Sequence, residues 1–322
     1  MKRVLSGIQP SGKPHLGNYL GALRQHIAMQ SDYECFLFMA DLHALTTVRD
    51  PALMKAQTHD LAVSYLALGL DPEKTVFYKH SDLPEHAELC WIFNCIVKIP
   101  FIERAHAWKD AKEKGKKEMT VGLFDYPILQ AADILLYKPD LVPVGKDQKQ
   151  HVEMTRDIAT TFNQIFGETF KLPEPDVREE VAVVPGTDGQ KMSKSYGNTI
   201  EIFAPENVLK KQVMGIVTDS KGVDEKKDPE ACNVFTIYKL LASESEVSEM
   251  RANYLQGGYG YGDAKKALLA KILDHFMEAR TKYQALIEKP DYVKEILHEG
   301  AKKAKVVASK TLDEVKEKIG YK

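Results

Sequence analysis

Arg3-Val4-Leu5-Ser6-Gly7-Ile8-Gln9-Pro10-Ser11-Gly12-Lys13-Pro14-His15-Leu16-Gly17-Asn18-Tyr19 is the stretch that decides the fold. Its first part, 4–9, is short and apolar. Gly and Pro punctuate residues 10–14, and then Leu16, Leu20, Leu23 and Ile27 recur at helical spacing, with the helix expected from about Gly17. A strand that leads through an open loop into an amphipathic helix is the opening unit of a parallel sheet wound with helices. Four further β-rich runs, 35–40, 75–79, 141–144 and 181–184, alternate with helical patterns such as Leu61, Tyr65 and Leu68. The expected class is therefore α/β, with a doubly wound parallel sheet.

After about residue 205 the β signals vanish. Leu268, Leu269, Ile272, Phe276, Tyr283 and Leu286 predict one long helix behind the glycine-rich turn at 257–262. We expect a catalytic unit at 1–195 and an α-helical domain at 196–322, whose last helix can pack back on the first unit. Apolar residues are 44% and charged residues 28%, with no apolar run near the ~20 residues a membrane helix needs, so a soluble globular protein is expected. The start at 1–7 lacks the long apolar region of a signal peptide, which makes the cytoplasm the expected compartment. Cys35, Cys90, Cys95 and Cys232 show no zinc spacing and are expected as buried thiols. A net charge of −2 gives no global attraction to nucleic acid, so any such contact must be local. Two lysine-rich runs, 109–117 and 302–322, are the candidates, and each has a plain alternative as a solvated face.

The stretch Gly7-Ile8-Gln9-Pro10-Ser11-Gly12-Lys13-Pro14 matches a phosphate-binding P-loop until its last position, where Pro14 replaces the hydroxyl that would hold magnesium. Continued through His15-Leu16-Gly17-Asn18 it makes better sense. His15 can donate to a phosphate, Gly17 lets a nucleotide approach the backbone, and Asn18 offers a neutral amide donor. That points to a nucleotide site at the carboxyl end of the first strand, with a ligand-free turn as the alternative.

A second segment decides between them. Lys191-Met192-Ser193-Lys194-Ser195 comes after the turn at 185–189 and can bring two cations and two hydroxyls to one polyphosphate. Paired with His15-Leu16-Gly17-Asn18, it resembles the two signatures of the class I aminoacyl-tRNA synthetases. Asn18 departs from the final histidine of the first signature in the way typical of the tryptophanyl branch. The resemblance extends over 6–12, 17–22, 41–44, 131–137 and 142–151, from residue 3 to about 200, and is weaker through the helical part.

The resemblance implies a Rossmann-type catalytic domain at 1–195, a helical anticodon-binding domain at 196–322, and a homodimer that binds tRNA(Trp). It implies attack by the carboxylate of L-tryptophan on the α-phosphate of ATP, with Mg²⁺, followed by transfer to tRNA. No protein nucleophile is needed, so catalysis rests on positioning and charge stabilisation. By the same carry-over Lys191 and Lys194 clamp pyrophosphate, and Lys109 is an additional phosphate-binding lysine. His15 and Asn18 join them, and Gln9, Pro10, Ser11 and Gly17 face ATP. Gly145, Lys146 and Asp147 hold the ribose, Val184 meets the adenine, and Met192, Ser193 and Ser195 complete the second signature. Asp133 accepts the indole N–H, which suits a donor-only ring; Tyr126, His43, Gln148, Leu5, Gly7, Gln9, Val142 and Val144 complete the pocket. Gln130 stands where well-known members carry a methionine against the indole, and other members carry Gln there. No iron–sulfur cluster or zinc is expected, since Cys232 stands alone in the C-terminal part. A tyrosyl relative, a nucleotidylyltransferase and a non-catalytic paralogue are the rivals. The text around Asp133, the second signature and the intact nucleotide residues weigh against them in turn.

Overall fold

The computed structural model describes residues 1–322 apart from 114, 116–118, 146–147 and 178–183, and the backbone alone at Ala107. Lys114, Lys116 and Lys117 of the first lysine run, Lys146 and Asp147 of the expected ribose segment, and Val181, Ala182 and Val183 of the fifth expected strand lie outside the described residues.

Strands β1 (Arg3–Ile8), β2 (Glu34–Met39), β3 (Thr75–Lys79), β4 (Leu141–Val144) and β5 (Glu174–Val177) form one sheet in the order β3-β2-β1-β4-β5. Every pairing is parallel. The chain steps outward from β1 to β3 and then restarts on the other side of β1, so the winding reverses between β1 and β4. Such a reversal opens a crevice at the carboxyl ends of the two strands. The fifth strand of the sheet is Glu-Pro-Asp-Val at 174–177, which the sequence reading did not single out; of the run expected at 181–184 only Val184 is described, and it lies outside the sheet. Pro175 is tolerated because β5 is an edge strand with no second ladder to donate to.

Between β1 and β2 the helical run comprises α1 (Leu16–Asn18), a π-helical turn at Tyr19–Leu23 and α2 (Arg24–Met29). Helices α3 (Asp41–Ala44) and α4 (Pro51–Ala67) lead to β3. Pro51 opens α4 in its first turn, and Asp50 caps it by accepting the N–H groups of Ala52 and Leu53 at 2.8 and 3.0 Å. Among the described residues four α-helices separate β3 from β4: α5 (Glu85–Asn94), α6 (Ile99–Ile102), α7 (His106–Glu113) and α8 (Val121–Leu136). Helix α9 (Lys149–Phe166) precedes β5.

On one face of the sheet Leu37, Met39 and Phe77 pack with Leu16, Leu20 and Leu61, and this core continues into the C-terminal helices through Phe203, Leu268 and Tyr283. On the other face Leu5, Phe36 and Tyr78 pack with Leu89, Ile128 and Phe162. The C-terminal helices are α10 (Glu206–Met214), α11 (Asn233–Lys239), α12 (Glu244–Gln256), α13 (Tyr261–His275), α14 (Met277–Ile287) and α15 (Pro290–Lys318). The single long helix expected through 268–286 is two, α13 and α14, because the backbone leaves the helical range at Phe276, whose buried ring packs edge-on against Tyr19. Apolar periodicity runs unbroken across that joint, which is why spacing alone does not reveal it. A further correction concerns Cys95, which is exposed, whereas Cys35, Cys90 and Cys232 are buried.

Helix α15 returns to the first half of the chain and lies on the outer strand β3. Gly300 makes this approach feasible, since a Cβ there would stand 1.8 Å from the carbonyl oxygen of Phe77. Polar ties fix the helix along its length: Ser309 donates to Glu85 at 2.8 Å, and Lys316 and Lys138 pair with Glu88 and Glu314 at 2.6 and 2.7 Å.

Candidate active site

The carboxyl ends of β1 and β4 bound a cavity of about 500 Å³. Strand β1 contributes Leu5 and Gly7 and its extension Gln9; β4 contributes Val142 and Val144, with Gly145 beyond it. Tyr126, Gln130 and Asp133, spaced i, i+4 and i+7, bring one face of α8 to the wall. His43 on α3 and Gln148 complete it, so all nine residues expected around the amino acid border one cavity. Gly7 has a steric reason to lack a side chain: a Cβ would stand 2.5 Å from the Phe38 ring, which also borders the cavity.

Asp133 is fully buried, with three imidazoles around its carboxylate. His43 Nε2 donates to Oδ2 at 2.7 Å and His86 Nδ1 to Oδ1 at 2.8 Å. His80 Nε2 lies 2.7 Å from Oδ1 but is misaligned for a hydrogen bond, and His80 Nδ1 has no partner either. Burial alone would raise the carboxyl's pKa. The His80 charge interaction and the imidazole donors outweigh it and hold the group well below the usual carboxylate range. Asp133 is therefore a buried, ionised acceptor in the cavity wall. The ligand atoms of His43, His80 and Asp133 fall within 4.8 Å of one another, the one group of this kind among the described residues. A nitrogen-rich donor set of that type does not suit Mg²⁺, which prefers oxygen.

Two further relays line the cavity. Gln148 Oε1 accepts from His151 Nδ1 at 2.8 Å, so the other ring nitrogen, Nε2, is left to accept the Tyr126 hydroxyl at 3.0 Å. The Tyr126 hydroxyl is thereby held as a donor to His151. Ser6 Oγ contacts His26 Nε2 at 3.0 Å, and His26 Nδ1 contacts the Tyr65 hydroxyl at 2.8 Å.

The two signatures meet beside the cavity. The N–H of Gly17 reaches Met192 Sδ at 3.4 Å, and Lys194 Nζ donates to the Ser11 carbonyl at 2.7 Å. Leu16 N–H donates to Ile200 at 2.9 Å, tying the first loop to the chain just past the second signature. Val184 and Met192 share the core with Leu16. His15 and Asn18 form a capping box: the Asn18 N–H donates to His15 Nδ1 and the His15 N–H to Asn18 Oδ1, both at 3.2 Å. This fixes the functional ends. Burial, then the Lys194 charge, lowers the His15 pKa to about 4. A neutral ring accepting at Nδ1 carries its proton on Nε2, and Asn18 is left its amide nitrogen as donor. Lys194 is exposed as a residue, yet its ammonium lies against the first loop. Its desolvation there, partly offset by Asp60 and Glu201, lowers the pKa to about 8.

Asn198, buried and not singled out by the sequence, organises the second signature. Its Oδ1 accepts the Ser193 N–H at 2.7 Å and its amide donates to Asp188 and to the Lys191 carbonyl at 2.7 and 3.2 Å. The Ser193 hydroxyl in turn accepts the Ser195 N–H at 3.3 Å. Pro10 is buried, whereas Gln9, Ser11 and Lys191 are exposed. Lys109 is exposed on α7, whose first N–H donates to Gln150 Oε1 at 2.9 Å. Sequence reasoning also missed His80, His86 and His151. Each is an unremarkable histidine in its own segment, and its approach to Asp133 or Tyr126, distant in the sequence, reveals it.

The sequence model of the family described as tRNA synthetases class I (W and Y) matches residues 1–277. The tryptophan–tRNA ligase of Fusobacterium nucleatum is 50% identical over 321 residues, covering 99% of this chain and 98% of that protein. A crystal structure of tryptophanyl-tRNA synthetase from Campylobacter jejuni, complexed with ADP and tryptophan, superposes with a TM-score of 0.94 at 49% identity, covering 99% of both chains. That from Mycoplasma pneumoniae does so with a TM-score of 0.82 at 31% identity, over 99% of this chain and 98% of that one.

Proposed function

The chain belongs to the class I tRNA synthetases of the W and Y family, and from that premise we propose that it joins L-tryptophan to tRNA(Trp) with ATP. The observation that carries this conclusion is Asp133: a buried, ionised acceptor in the wall of a cavity beside the two signatures. Indole offers one N–H and no acceptor, so a carboxylate answers it, while phenylalanine leaves that carboxylate buried without its partner.

In the first step an oxygen of the tryptophan carboxylate bonds to the α-phosphorus of ATP, and the bond to the bridging α–β oxygen breaks. Pyrophosphate leaves, and tryptophanyl-adenylate remains. In the second a terminal ribose hydroxyl of tRNA attacks the acyl carbon and AMP departs. Tyr126 and Gln148, oriented by His151, suit the ammonium group of the amino acid. His15 Nε2–H and the Asn18 amide are neutral donors for phosphate oxygens, and Lys191, Lys194 and Lys109 take the growing charge on pyrophosphate. Gln9, Pro10, Ser11, Gly17, Gly145, Lys146, Asp147, Val184, Met192, Ser193 and Ser195 are assigned to ATP. Mg²⁺ would ride on the ATP phosphates and neutralise them there, since it needs few protein ligands beyond substrate oxygens.

We assign the catalytic unit to 1–195 and anticodon binding to the helical part, 196–322, which carries the lysine-rich face of α15. We also assign the chain to a homodimer, as the family resemblance implies. No helix among the described residues is long and apolar enough to cross a membrane, and we place the enzyme in the cytoplasm. ATP–pyrophosphate exchange with tryptophan, tyrosine or phenylalanine in separate reactions tests the activity. Exchange with tryptophan alone is expected; exchange with tyrosine alone would transfer the chain to the sister specificity.

A further inference from the structure

We propose that His86, backed by Tyr137, is a positioning residue for ring-nitrogen recognition: it ties down Oδ1 of Asp133 so that Oδ2 is the oxygen presented to the indole N–H. This role rests on the tryptophan specificity proposed above.

The two carboxylate oxygens have different surroundings. Oδ1 accepts from His86 Nδ1 at 2.8 Å and is crowded by His80 Nε2 at 2.7 Å. Both histidines are wholly buried, and neither borders the cavity. Oδ2 accepts only from His43 among the contacts of the described residues, at 2.7 Å, and His43 does border the cavity. A carboxylate oxygen has two lone pairs, so Oδ2 keeps one on the side that substrate can reach. Oδ1 faces protein.

The direction of the hydrogen bonds is also fixed. Burial, then the neighbouring His80, lowers the His86 pKa and keeps its ring neutral. A neutral ring that donates from Nδ1 must accept at Nε2, and the Tyr137 hydroxyl lies there at 3.2 Å. Burial raises the Tyr137 pKa, so that hydroxyl retains the proton it donates. Protons therefore point one way, from Tyr137 O–H to His86 Nε2 and from His86 Nδ1–H to Asp133. A carboxyl at the end of such a chain stays an acceptor. Without it, burial would favour the protonated acid, whose O–H would oppose the indole N–H, and rotation of the group would become freer.

The test compares kcat/KM in ATP–pyrophosphate exchange for tryptophan and for its 3-benzothienylalanine analogue, which has a similar shape but sulfur in place of N–H. Their ratio cancels the fraction of protein that is folded. Wild-type protein is expected to favour tryptophan strongly. His86→Leu is expected to lower the ratio about ten-fold or more, and His86→Asn, whose amide nitrogen can stand near Nδ1, to restore most of it. If His86→Leu slows both substrates equally, the histidine only fills space and the proposal is overturned. Should His86→Leu not fold, Tyr137→Phe tests the same chain from its far end: about a three-fold fall in the ratio is expected, and an unchanged ratio overturns the proposal. Wild-type exchange with tyrosine in place of tryptophan overturns the substrate assignment itself, and this role with it.

Discussion

The two ends of the site are built on different principles. At the end proposed for the amino acid, the carboxylate of Asp133 is fully buried, ringed by imidazoles and set on a long helix between β3 and β4. At the end proposed for the nucleotide, Lys191 and Lys109 are exposed, and Lys194, at the start of a 3-10 turn, is exposed as a residue with its ammonium laid against the first loop. The contrast reflects the tasks. Separating one aromatic ring from another depends on a single hydrogen bond, and the acceptor of that bond must be in place before the ligand arrives. A polyphosphate must enter and pyrophosphate must leave, and charge attraction acts over distances that tolerate looser placement.

Asp133→Asn should break this contrast most severely. It replaces an acceptor by an amide that cannot accept from all its N–H neighbours, and a loss of roughly 10³-fold in kcat/KM for tryptophan is expected, with ATP affinity unchanged. Equal losses for both substrates would show that the ends are not separable. Lys194→Ala should act from the opposite end. We expect adenylate formation slowed about 10²-fold in single-turnover assays, while tryptophan binding measured at equilibrium stays within about two-fold. The smallest effect concerns pH. Because the Lys194 pKa is lowered to about 8, its ammonium is lost as pH rises through that value, earlier than for an ordinary lysine, and the KM for ATP should rise there. Lys194→Arg keeps its charge and should flatten this limb. Asp133, held ionised, should leave tryptophan affinity level between about pH 7 and about pH 8.5; a parallel drift in both affinities would contradict the assignment of the limb to Lys194.

Local chemistry explains what the sequence reveals and what it hides. The first loop is legible because a strand, a Gly/Pro turn and an amphipathic helix are all nearest-neighbour signals, and four of five strands are apolar runs. Strand β5 is not, because Glu174-Pro175-Asp176-Val177 carries turn residues and is a strand only as the edge partner of β4. The nine cavity residues expected around the amino acid are reached through the resemblance, since no spacing unites Leu5, His43, Asp133 and Gln148. His86 is invisible for the same reason without a motif to help: its partners Asp133 and Tyr137 lie 47 and 51 residues away. Asn198 shows the intermediate case. It lies three residues past the second signature, near enough to suspect but defined as a hub only by the loop it folds.

Helix α15 lying on β3 makes assembly of this molecule a matter of timing. The ribosome releases the strand at 75–79 some two hundred residues before the helix at 290–318, an interval of tens of seconds at roughly 5–20 residues per second. Throughout it the outer flank of the sheet has no cover, and such a flank invites pairing with another nascent chain. The contact that closes it admits no side chain at Gly300, so the sheet depends for its finish on a helix made some two hundred residues after the strand it covers. Termination between the second signature and α15 would yield a product that keeps His15, Asn18, Lys191 and Lys194 but leaves β3 without its covering helix.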